Sequence, residues 1–401
     1  MGKLIPRPHY LNNLIKFREV DVIKVVTGVR RCGKSTLFEL YIEYLKSNGV
    51  DENQIIFINL EDVGMEKLHN YNSLHDFLLS QLQKDKMTYI FIDEAGRCDG
   101  FEKAVDSIYI KKNTDVYITG SNADLLSGEL ATLLSGRYVE IKMLPFSFAE
   151  FYAASENIAT DKNRAFMEYM NIGSFPVVVT QLKSDMELSD QYLEGIYSAI
   201  ILKDVVTRRS VGDVGLLKNI VKYLCGNVGS AISTANITDY IVKSGRKITQ
   251  RTVDKYVKAL ADSFLFYPVE RYNIRGKNLL KTLGKYYIVD TGLRNHLLSA
   301  TNADIGHQIE NIVYLELLRR GYRVNIGKID EKEIDFVVTK QNTREYYQVS
   351  MSALEESVRE REIDPLKKVG DNYPKYLLTL DFITGDYEGI KQINLIDWLL
   401  G

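Results

Sequence analysis

Short apolar runs alternate with longer helical patterns over the first 145 residues of the 401-residue chain. The apolar runs have strand length and are rich in β-branched and aromatic residues: VIKVVTGV, QIIFINL, YIFIDEA, DVYITGS and RYVEIKML. Between them, segments such as STLFELYIEYLKSNG space their apolar residues three or four apart, as amphipathic helices do. This alternation predicts a parallel sheet covered by helices on both faces, which binds ligands at the carboxyl ends of its strands.

The strand pattern stops after Pro145. The predicted domains are a sheet-based core at 1–146, a helical lid at 147–212, three helices with a hairpin at 213–292, and an α/β domain at 304–401.

The composition is that of a folded globular protein, with 45% apolar and 26% charged residues. No apolar run approaches the roughly 18 residues that span a bilayer, and the N-terminus lacks the apolar stretch of a secretory signal. The cysteines Cys32, Cys98 and Cys225 are odd in number and have no metal-ligand spacing. We therefore expect a cytoplasmic protein without a membrane partner.

Positive charge is concentrated in one segment. Residues 215–285 carry thirteen lysines and arginines against four acidic residues, a net charge of +9, whereas the whole chain has a net charge of −2. Such an island predicts a polyanionic partner for that segment.

The segment GVRRCGKST, residues 28–36, fits the pattern G-x-x-x-x-G-K-[ST] between a predicted strand and a predicted helix. Its glycines let successive N–H groups point at phosphate oxygens, Lys34 adds a positive charge at the β- and γ-phosphates, and the Ser35 hydroxyl can ligate Mg²⁺. The loop therefore predicts ATP and Mg²⁺ as cofactors. The predicted nucleotide-binding residues are Gly28, Val29, Arg30, Arg31, Cys32, Gly33, Lys34, Ser35 and Thr36.

The apolar strand YIFIDEA ends in Asp93 and Glu94. A carboxylate there can hold Mg²⁺, which predicts this role for Asp93, and Glu94 can deprotonate the attacking water. The same pair would also suit a solvated turn. The phosphate loop upstream favours the catalytic interpretation.

The segment SGRKITQRTVDKYVKALADSFLF predicts an N-cap at Thr249 and a helix with cations on one side and apolar residues on the other. The preceding helix, STANITDYIVKSG, would cross it as in a helix-turn-helix. Two strands, FLFYPVERYN and GKYYIVD, would follow as a wing with the basic tip IRGKNLLKTL. A basic helix and a basic wing predict duplex DNA binding; the alternative is a solvated surface of a protein-interaction module. The predicted DNA-binding residues are Arg251, Lys255, Lys258, Arg275 and Lys277, with Lys281 also in the tip.

Five segments in one order carry a family resemblance: GVRRCGKST, YIFIDEA, ITGSNADLLSGEL, LSGRYVEIKMLPFSFAEF and GHQIENIVYLELLRRGY. Together they resemble the AAA+ (P-loop) ATPases of the bacterial and archaeal branch near the origin-recognition-like and STAND-like groups. The resemblance covers nearly the whole chain. It implies an α/β fold in which a P-loop parallel sheet with a helical lid precedes a winged helix and a nuclease-like α/β domain of unknown role.

The resemblance also implies roles for single residues. Asn122 would sense the γ-phosphate, although it would also suit a helix cap. Arg137 would be an arginine finger that reaches a neighbouring subunit, or else a surface salt bridge. Pro176, Arg7 and Tyr10 would lie near the adenine.

From Gly306 onward the predicted element order resembles the PD-(D/E)XK nuclease fold. In active members a helical glutamate, an aspartate on the second strand and a glutamate on the third strand hold Mg²⁺. A lysine lies two residues after the strand glutamate. The corresponding positions here are Glu310, Asp335, Gln348 and Ser350. Gln348 contributes no charge and Ser350 no cation, so the resemblance implies a degenerate site. Lys332 and Lys340 are candidates to replace the missing lysine, and Glu310 would also suit a solvated surface.

The sequence thus predicts an ATPase: Mg²⁺-dependent hydrolysis of ATP to ADP and phosphate, coupled to engagement of duplex DNA, with a ring or dimer of the chain as a further expectation. One alternative is an ATP-dependent switch or scaffold that binds a protein and turns over slowly. Another is an ATP-gated, metal-dependent DNA endonuclease.

Overall fold

The computed structural model describes residues 4–126, 134, 136–154, 161–207, 211–299 and 305–401. The chain divides into two compact units, Met1–Leu144 with Asp262–Phe264, and Pro145–Ala261 with Leu265–Gly401. Over the described part of the chain, no helix has both the length and the apolar character needed to cross a membrane.

The first unit is built on a five-stranded, wholly parallel sheet, as the sequence predicts. In spatial order its strands are β2, β3, β4, β1 and β5. Their bounds are β1 Ile23–Thr27, β2 Ile55–Asn59, β3 Thr88–Asp93, β4 Thr114–Gly120 and β5 Tyr138–Lys142. The accompanying helices are α1 Pro8–Lys16, α2 Lys34–Ser47, α3 Tyr71–Gln81 and α4 Phe101–Tyr109.

Alternate residues of β3 supply the two cores of this unit. Ile90 and Ile92 belong to an aliphatic cluster that also contains buried residues of α3 and α4. Phe91 points to the other face, where its ring stacks on Tyr117 at 4.8 Å and meets Phe38 of α2 edge-on at 5.1 Å. Burial on both faces explains why the sequence of this strand is almost continuously apolar.

The second unit begins with helices, in agreement with the predicted end of the strand pattern after Pro145. Two segments, Val178–Leu182 and Ile200–Thr207, have π-helical hydrogen bonding. The helices of this unit are α5 Phe148–Ala154, α6 Lys162–Ile172, α7 Met186–Ala199, α8 Val214–Gly226, α9 Thr234–Lys243, α10 Gln250–Asp262, α11 Thr291–Leu298, α12 Ile305–Arg319, α13 Glu356–Lys367 and α14 Leu395–Leu400.

A mixed eight-stranded sheet completes the second unit, in the order β12, β13, β11, β10, β9, β8, β6, β7. The predicted succession of elements from Gly306 onward is confirmed. The strands are β6 Phe266–Asn273, β7 Asn278–Ile288, β8 Arg323–Ile329, β9 Lys332–Lys340, β10 Thr343–Val349, β11 Lys375–Thr379, β12 Gly385–Tyr387 and β13 Ile390–Asn394.

The hairpin β6–β7 differs from the predicted wing in two respects. Residues 278–283, predicted as part of the tip, are strand, because Asn278 to Leu280 pair with Asn273 to Arg271 across a four-residue turn. The hairpin is also the edge of the eight-stranded sheet, since β6 pairs in parallel with β8. A shared sheet joins residues 213–292 to 304–401, and the predicted boundary between these segments stays a prediction.

Candidate functional site

The loop between β1 and α2 has the backbone shape that its glycines predict. Gly28 and Gly33 have φ angles of 157° and 104°. A Cβ atom on Gly28 would lie 2.1 Å from the main-chain oxygen of Met143, so a side chain has no room there. The curled loop ends where α2 begins, which leaves the first N–H groups of that helix available to an anion. Of the predicted loop residues, Val29, Arg30, Cys32 and Lys34 are buried, Gly33, Ser35 and Thr36 are half-buried, and Arg31 is exposed.

The ammonium group of Lys34 lies inside this loop. It donates hydrogen bonds to the main-chain oxygens of Gly28 and Val29, at 3.0 and 3.3 Å. Its nearest acidic neighbour is Glu94, whose Oε1 is 3.7 Å from Nζ. The lysine is thus held mainly by carbonyl groups and keeps its positive charge directed at the loop.

Asp93 and Ser35 form the second part of the site. The Ser35 hydroxyl donates to Asp93 Oδ2 at 2.6 Å, and the Thr119 hydroxyl donates to Asp93 Oδ1 at 2.5 Å. A hydroxyl and a carboxylate this close can contact one Mg²⁺ ion, which prefers oxygen ligands. Since the described residues contain no group of three or more His, Cys, Asp or Glu side chains suited to a metal, further ligands would be phosphate and water oxygens.

Glu94 is oriented by residues at the end of the neighbouring strand β4. Its φ angle of 52° is in the left-handed region, and its N–H donates to Thr119 Oγ1 at 2.9 Å. The Ser121 hydroxyl donates to Glu94 Oε2 at 3.2 Å. Sequence reasoning missed Thr119 and Ser121; their signal was their position at the end of DVYITGS, on the sheet edge that also carries Asp93.

Asn122 and Cys32 lie at the same edge. Asn122 follows β4 and is buried, in a position compatible with the predicted sensor role. Burial raises the pKa of the Cys32 thiol, so this cysteine is a poor nucleophile near neutral pH. Arg30 donates from Nη1 to Glu61 Oε1 at 3.1 Å.

Arg7 and Tyr10 anchor the N-terminal segment to the loop. Arg7 is buried and donates to the main-chain oxygens of Cys32 and Leu144, at 3.1 and 2.7 Å. The Tyr10 hydroxyl accepts from the N–H of Leu144 at 3.0 Å. These contacts brace the loop, and the predicted adenine contacts of both residues stay predictions. Pro176 belongs to the second unit.

Arg137 lies at the opposite edge of the sheet. Its main-chain oxygen accepts from the N–H of Ile23, the first residue of β1, whereas the phosphate loop follows the last residue. Its guanidinium donates to Asp106 at 2.5 Å. Within one chain it therefore forms the surface salt bridge that was the alternative interpretation, and the finger role stays a prediction.

The basic face of α10 matches its predicted pattern. Arg251, Lys255 and Lys258 are exposed, and Val253 and Leu260 are buried on the other side of the helix. Among the described residues, none of these three cations forms an ion pair, so their charge is available to a ligand.

The hairpin tip offers less positive charge than predicted. Lys277 is exposed, but Arg275 pairs with Asp330 at 2.7 Å. The side chain of Lys281 lies outside the described residues. Among the described side chains, α10 therefore carries three cations without an ion pair and the tip carries one, Lys277.

The structure brings together the three residues of the predicted degenerate nuclease site. Asp335 on β9 donates its N–H to Gln348 Oε1 on β10 at 3.3 Å, and Glu310 on α12 shares a cationic neighbour with Asp335. Glu310 is buried, so the solvated alternative for it is wrong. The cationic neighbour is Lys285 of β7, which sequence reasoning missed, although a lysine inside the apolar strand GKYYIVD was a signal.

Neither candidate for the missing lysine reaches this site. Lys332 pairs with Asp364, and Lys340 donates to the main-chain oxygen of Arg320 at 2.7 Å. Both lie at the ends of β9, where their side chains reach partners outside the cluster, so that prediction is wrong.

Comparison with known proteins agrees with this geometry. Residues 21–152 match the family model described as an AAA domain, and residues 163–304 match a domain of unknown function. An uncharacterized protein of Haemophilus influenzae is 40% identical over 403 residues, 99% of either chain. The chain belongs to the same family as this Haemophilus protein. Its N-terminal part is an AAA domain, which implies nucleotide binding at the loop that contains Lys34.

Two further relatives extend the comparison. An uncharacterized protein of Methanocaldococcus jannaschii is 29% identical over 393 residues, covering 94% of this chain and 85% of the relative. A Walker-type ATPase of Pyrococcus abyssi superposes with a TM-score of 0.53 at 15% identity, covering 73% of this chain and 95% of that chain. At that identity the likeness concerns the fold, and it supports the predicted α/β class with a P-loop sheet.

Proposed function

We propose that this protein is a Mg²⁺-dependent ATPase that hydrolyses ATP to ADP and phosphate and couples turnover to engagement of duplex DNA. The observation that carries the proposal is the convergence of Lys34, Ser35, Asp93 and Glu94 at one edge of the parallel sheet.

Each residue has a separate task in this mechanism. The N–H groups of the loop and of the first turn of α2 bind phosphate oxygens, and Lys34 neutralises charge on the transferred phosphoryl group. Ser35 and Asp93 would hold Mg²⁺, which would supply further positive charge at the phosphates. Glu94, oriented by Ser121, accepts a proton from the attacking water.

The hydrolytic part is tested by Glu94→Gln, which keeps the size of the side chain and removes its basicity. We expect the turnover number to fall about 10²- to 10⁴-fold while ATP binding is retained. The matched control is Glu66→Gln, an exposed glutamate of the same unit, which should leave turnover unchanged. Undiminished turnover in Glu94→Gln would show that Glu94 is not the general base.

The DNA part rests on the unpaired cations of α10. Its test is the ATPase rate with and without duplex DNA at several protein concentrations. We expect stimulation by DNA and a rate per subunit that rises with concentration if Arg137 acts on a neighbouring subunit. A rate indifferent to DNA, combined with DNA binding that does not weaken as salt is raised, would contradict the coupling.

An ATP-dependent switch that binds a protein is the second candidate, and one feature favours it. The segments after β10 and β11 expose the apolar side chains of Met351, Leu354, Phe382 and Ile383. Asp381 ties the two segments together by accepting from the Ser352 hydroxyl at 2.8 Å and the Ala353 N–H at 2.7 Å. Exposed apolar groups held on fixed loops suit a protein contact better than a nucleic acid.

A further inference from the structure

We infer that the ammonium group of Lys285 occupies the place in the nuclease-like site where active enzymes of this fold hold a divalent metal ion. The site in this protein then binds no divalent cation and cuts no DNA. This inference concerns the second unit and is independent of the ATPase proposal.

The first support is the position of the ammonium nitrogen. Lys285 Nζ lies 2.8 Å from Glu310 Oε1, 2.8 Å from Glu333 Oε1 and 3.8 Å from Asp335 Oδ1. Glu310 and Asp335 are two of the groups that the family resemblance assigns to the metal. These separations suit an ammonium group, whereas Mg²⁺ requires oxygen ligands at about 2.0–2.1 Å.

The second support is that several polar atoms of the site have further hydrogen-bond partners within the protein. Glu310 Oε1 also accepts from the Tyr287 hydroxyl at 2.6 Å, and Asp335 Oδ2 accepts from the Val349 N–H at 2.8 Å. The Gln348 amide donates to Glu362 at 3.0 Å and accepts from the Asp335 N–H. While Lys285 completes this arrangement, a metal ion would have to displace the ammonium group and break several of these bonds to enter.

The third support is that the chain itself covers the site. Lys285 is 4% exposed. Gly229, in the connection after α8, has a φ angle of 75°, and a Cβ there would lie 3.0 Å from His307 Cδ2 and 3.3 Å from Glu310 Oε2. Its N–H donates to the main-chain oxygen of Tyr286. The backbone of this connection therefore lies directly against the Glu310 carboxylate.

The test is Mn²⁺ binding to the full-length protein without nucleotide, measured by the loss of the free-ion paramagnetic resonance signal. All proteins carry Asp93→Asn, which removes the metal-binding carboxylate of the AAA domain. We expect no uptake by this background or by the further variant Lys332→Met, a control that removes a lysine from the same sheet. Lys285→Met should take up one equivalent of Mn²⁺.

Lys285→Met leaves the buried Glu310 and the half-buried Glu333 and Asp335 without their cation and could therefore unfold the protein, so a second variant is included. Lys285→Met with Glu333→Gln removes one of those charges and retains Glu310, Asp335 and Gln348. For this variant we expect Mn²⁺ in excess to raise the melting temperature by about 3 °C or more, and no such rise in the background protein.

Two outcomes would overturn the inference. One is a folded double variant that takes up no Mn²⁺, which would mean that the lysine does not stand in a metal position. The other is a protein with Lys285 intact that binds Mn²⁺ or cleaves supercoiled DNA with it, and loses this on Asp335→Asn, which would mean that the site is an active nuclease.

Discussion

The AAA domain and the nuclease-like site both combine a buried lysine with carboxylates, but the two lysines are held in opposite ways. Lys34 is held by two carbonyl oxygens and keeps 3.7 Å from Glu94, so its charge remains available to a phosphate. Lys285 lies 2.8 Å from each of two carboxylates, so its charge is already satisfied. The charge of Lys34 is therefore open to a ligand, whereas the charge of Lys285 is neutralised within the protein.

The origin of the residues differs as well. The phosphate loop comes from nine consecutive residues that are read as a motif. The other cluster takes one residue each from α12 and β10 and two from β9, and its lysine comes from β7, 25 residues before Glu310. Paired substitutions of equivalent residues in the two regions test whether this contrast holds.

The largest expected effect is the loss of catalysis when Lys34 is removed, with the removal of Lys285 as the comparison. Lys34→Met should lower ATP turnover about 10²- to 10³-fold with little loss of stability, because it removes charge directed at the phosphates. Lys285→Met should leave turnover unchanged at temperatures where the protein is folded. Turnover would be measured by phosphate release. Equal losses of ATP turnover in the two variants would contradict the different roles assigned to Lys34 and Lys285.

Next in size is the effect on stability. Lys285→Met should lower the free energy of unfolding by about 3–5 kcal/mol, because it strips the cation from buried carboxylates. Lys332→Met removes a partly exposed ion pair with Asp364 and should cost about 1 kcal/mol or less. Urea unfolding followed by circular dichroism would report both values. A loss below 1 kcal/mol for Lys285→Met would show that the cluster adds little.

A smaller effect is expected on DNA affinity. Lys255→Ala with Lys258→Ala should weaken duplex binding at low salt and reduce the slope of log affinity against log salt by about 2, roughly one unit per phosphate contact. Arg275→Ala, which removes a cation already paired with Asp330, should change the slope less. Fluorescence anisotropy over a salt series measures this. A larger change in slope from Arg275→Ala would mean that the hairpin tip, and not α10, contacts the DNA phosphates.

The smallest expected effect is a change in how stability depends on pH. Burial and the neighbouring Glu310 raise the pKa of Asp335 well above its ordinary value. A group with a raised pKa contributes stability in full below its unfolded value of about 3.9, and the contribution is lost as pH rises through the folded value. Relative to the wild type, Asp335→Asn should therefore become more stable as pH rises, as measured by urea midpoints.

Asp364 provides a control of opposite sign. Its hydrogen bond with Lys332 lowers the pKa of Asp364, so its contribution is present above the unfolded value and lost as pH falls. Asp364→Asn should thus lose stability relative to the wild type as pH rises from acid, the reverse of Asp335→Asn. The same sign for both variants would contradict the assigned environments.

Much of the fold was predictable because it depends on local patterns. The almost continuous apolar run of β3 predicted a strand buried on both faces, and Lys34 and Asp93 were predicted from their places beside such strands. The tip of the hairpin was predicted too long, because the local sequence around Leu279 and Leu280 does not mark a strand. These residues are strand because they pair with β6. Pairing between strands is a long-range property that composition does not record.

The sequence by itself determined the phosphate loop, since its nine residues form a complete local unit of glycine, lysine and hydroxyl. It also showed that Gln348 and Ser350 cannot supply the charges of an active nuclease. Only the tertiary structure decided which cation lies beside Glu310 and Asp335. Lys285 reaches Glu310 and Asp335 because the hairpin of residues 266–288 joins the edge of the C-terminal sheet, and a contact between distant strands is fixed by packing, not by spacing along the chain.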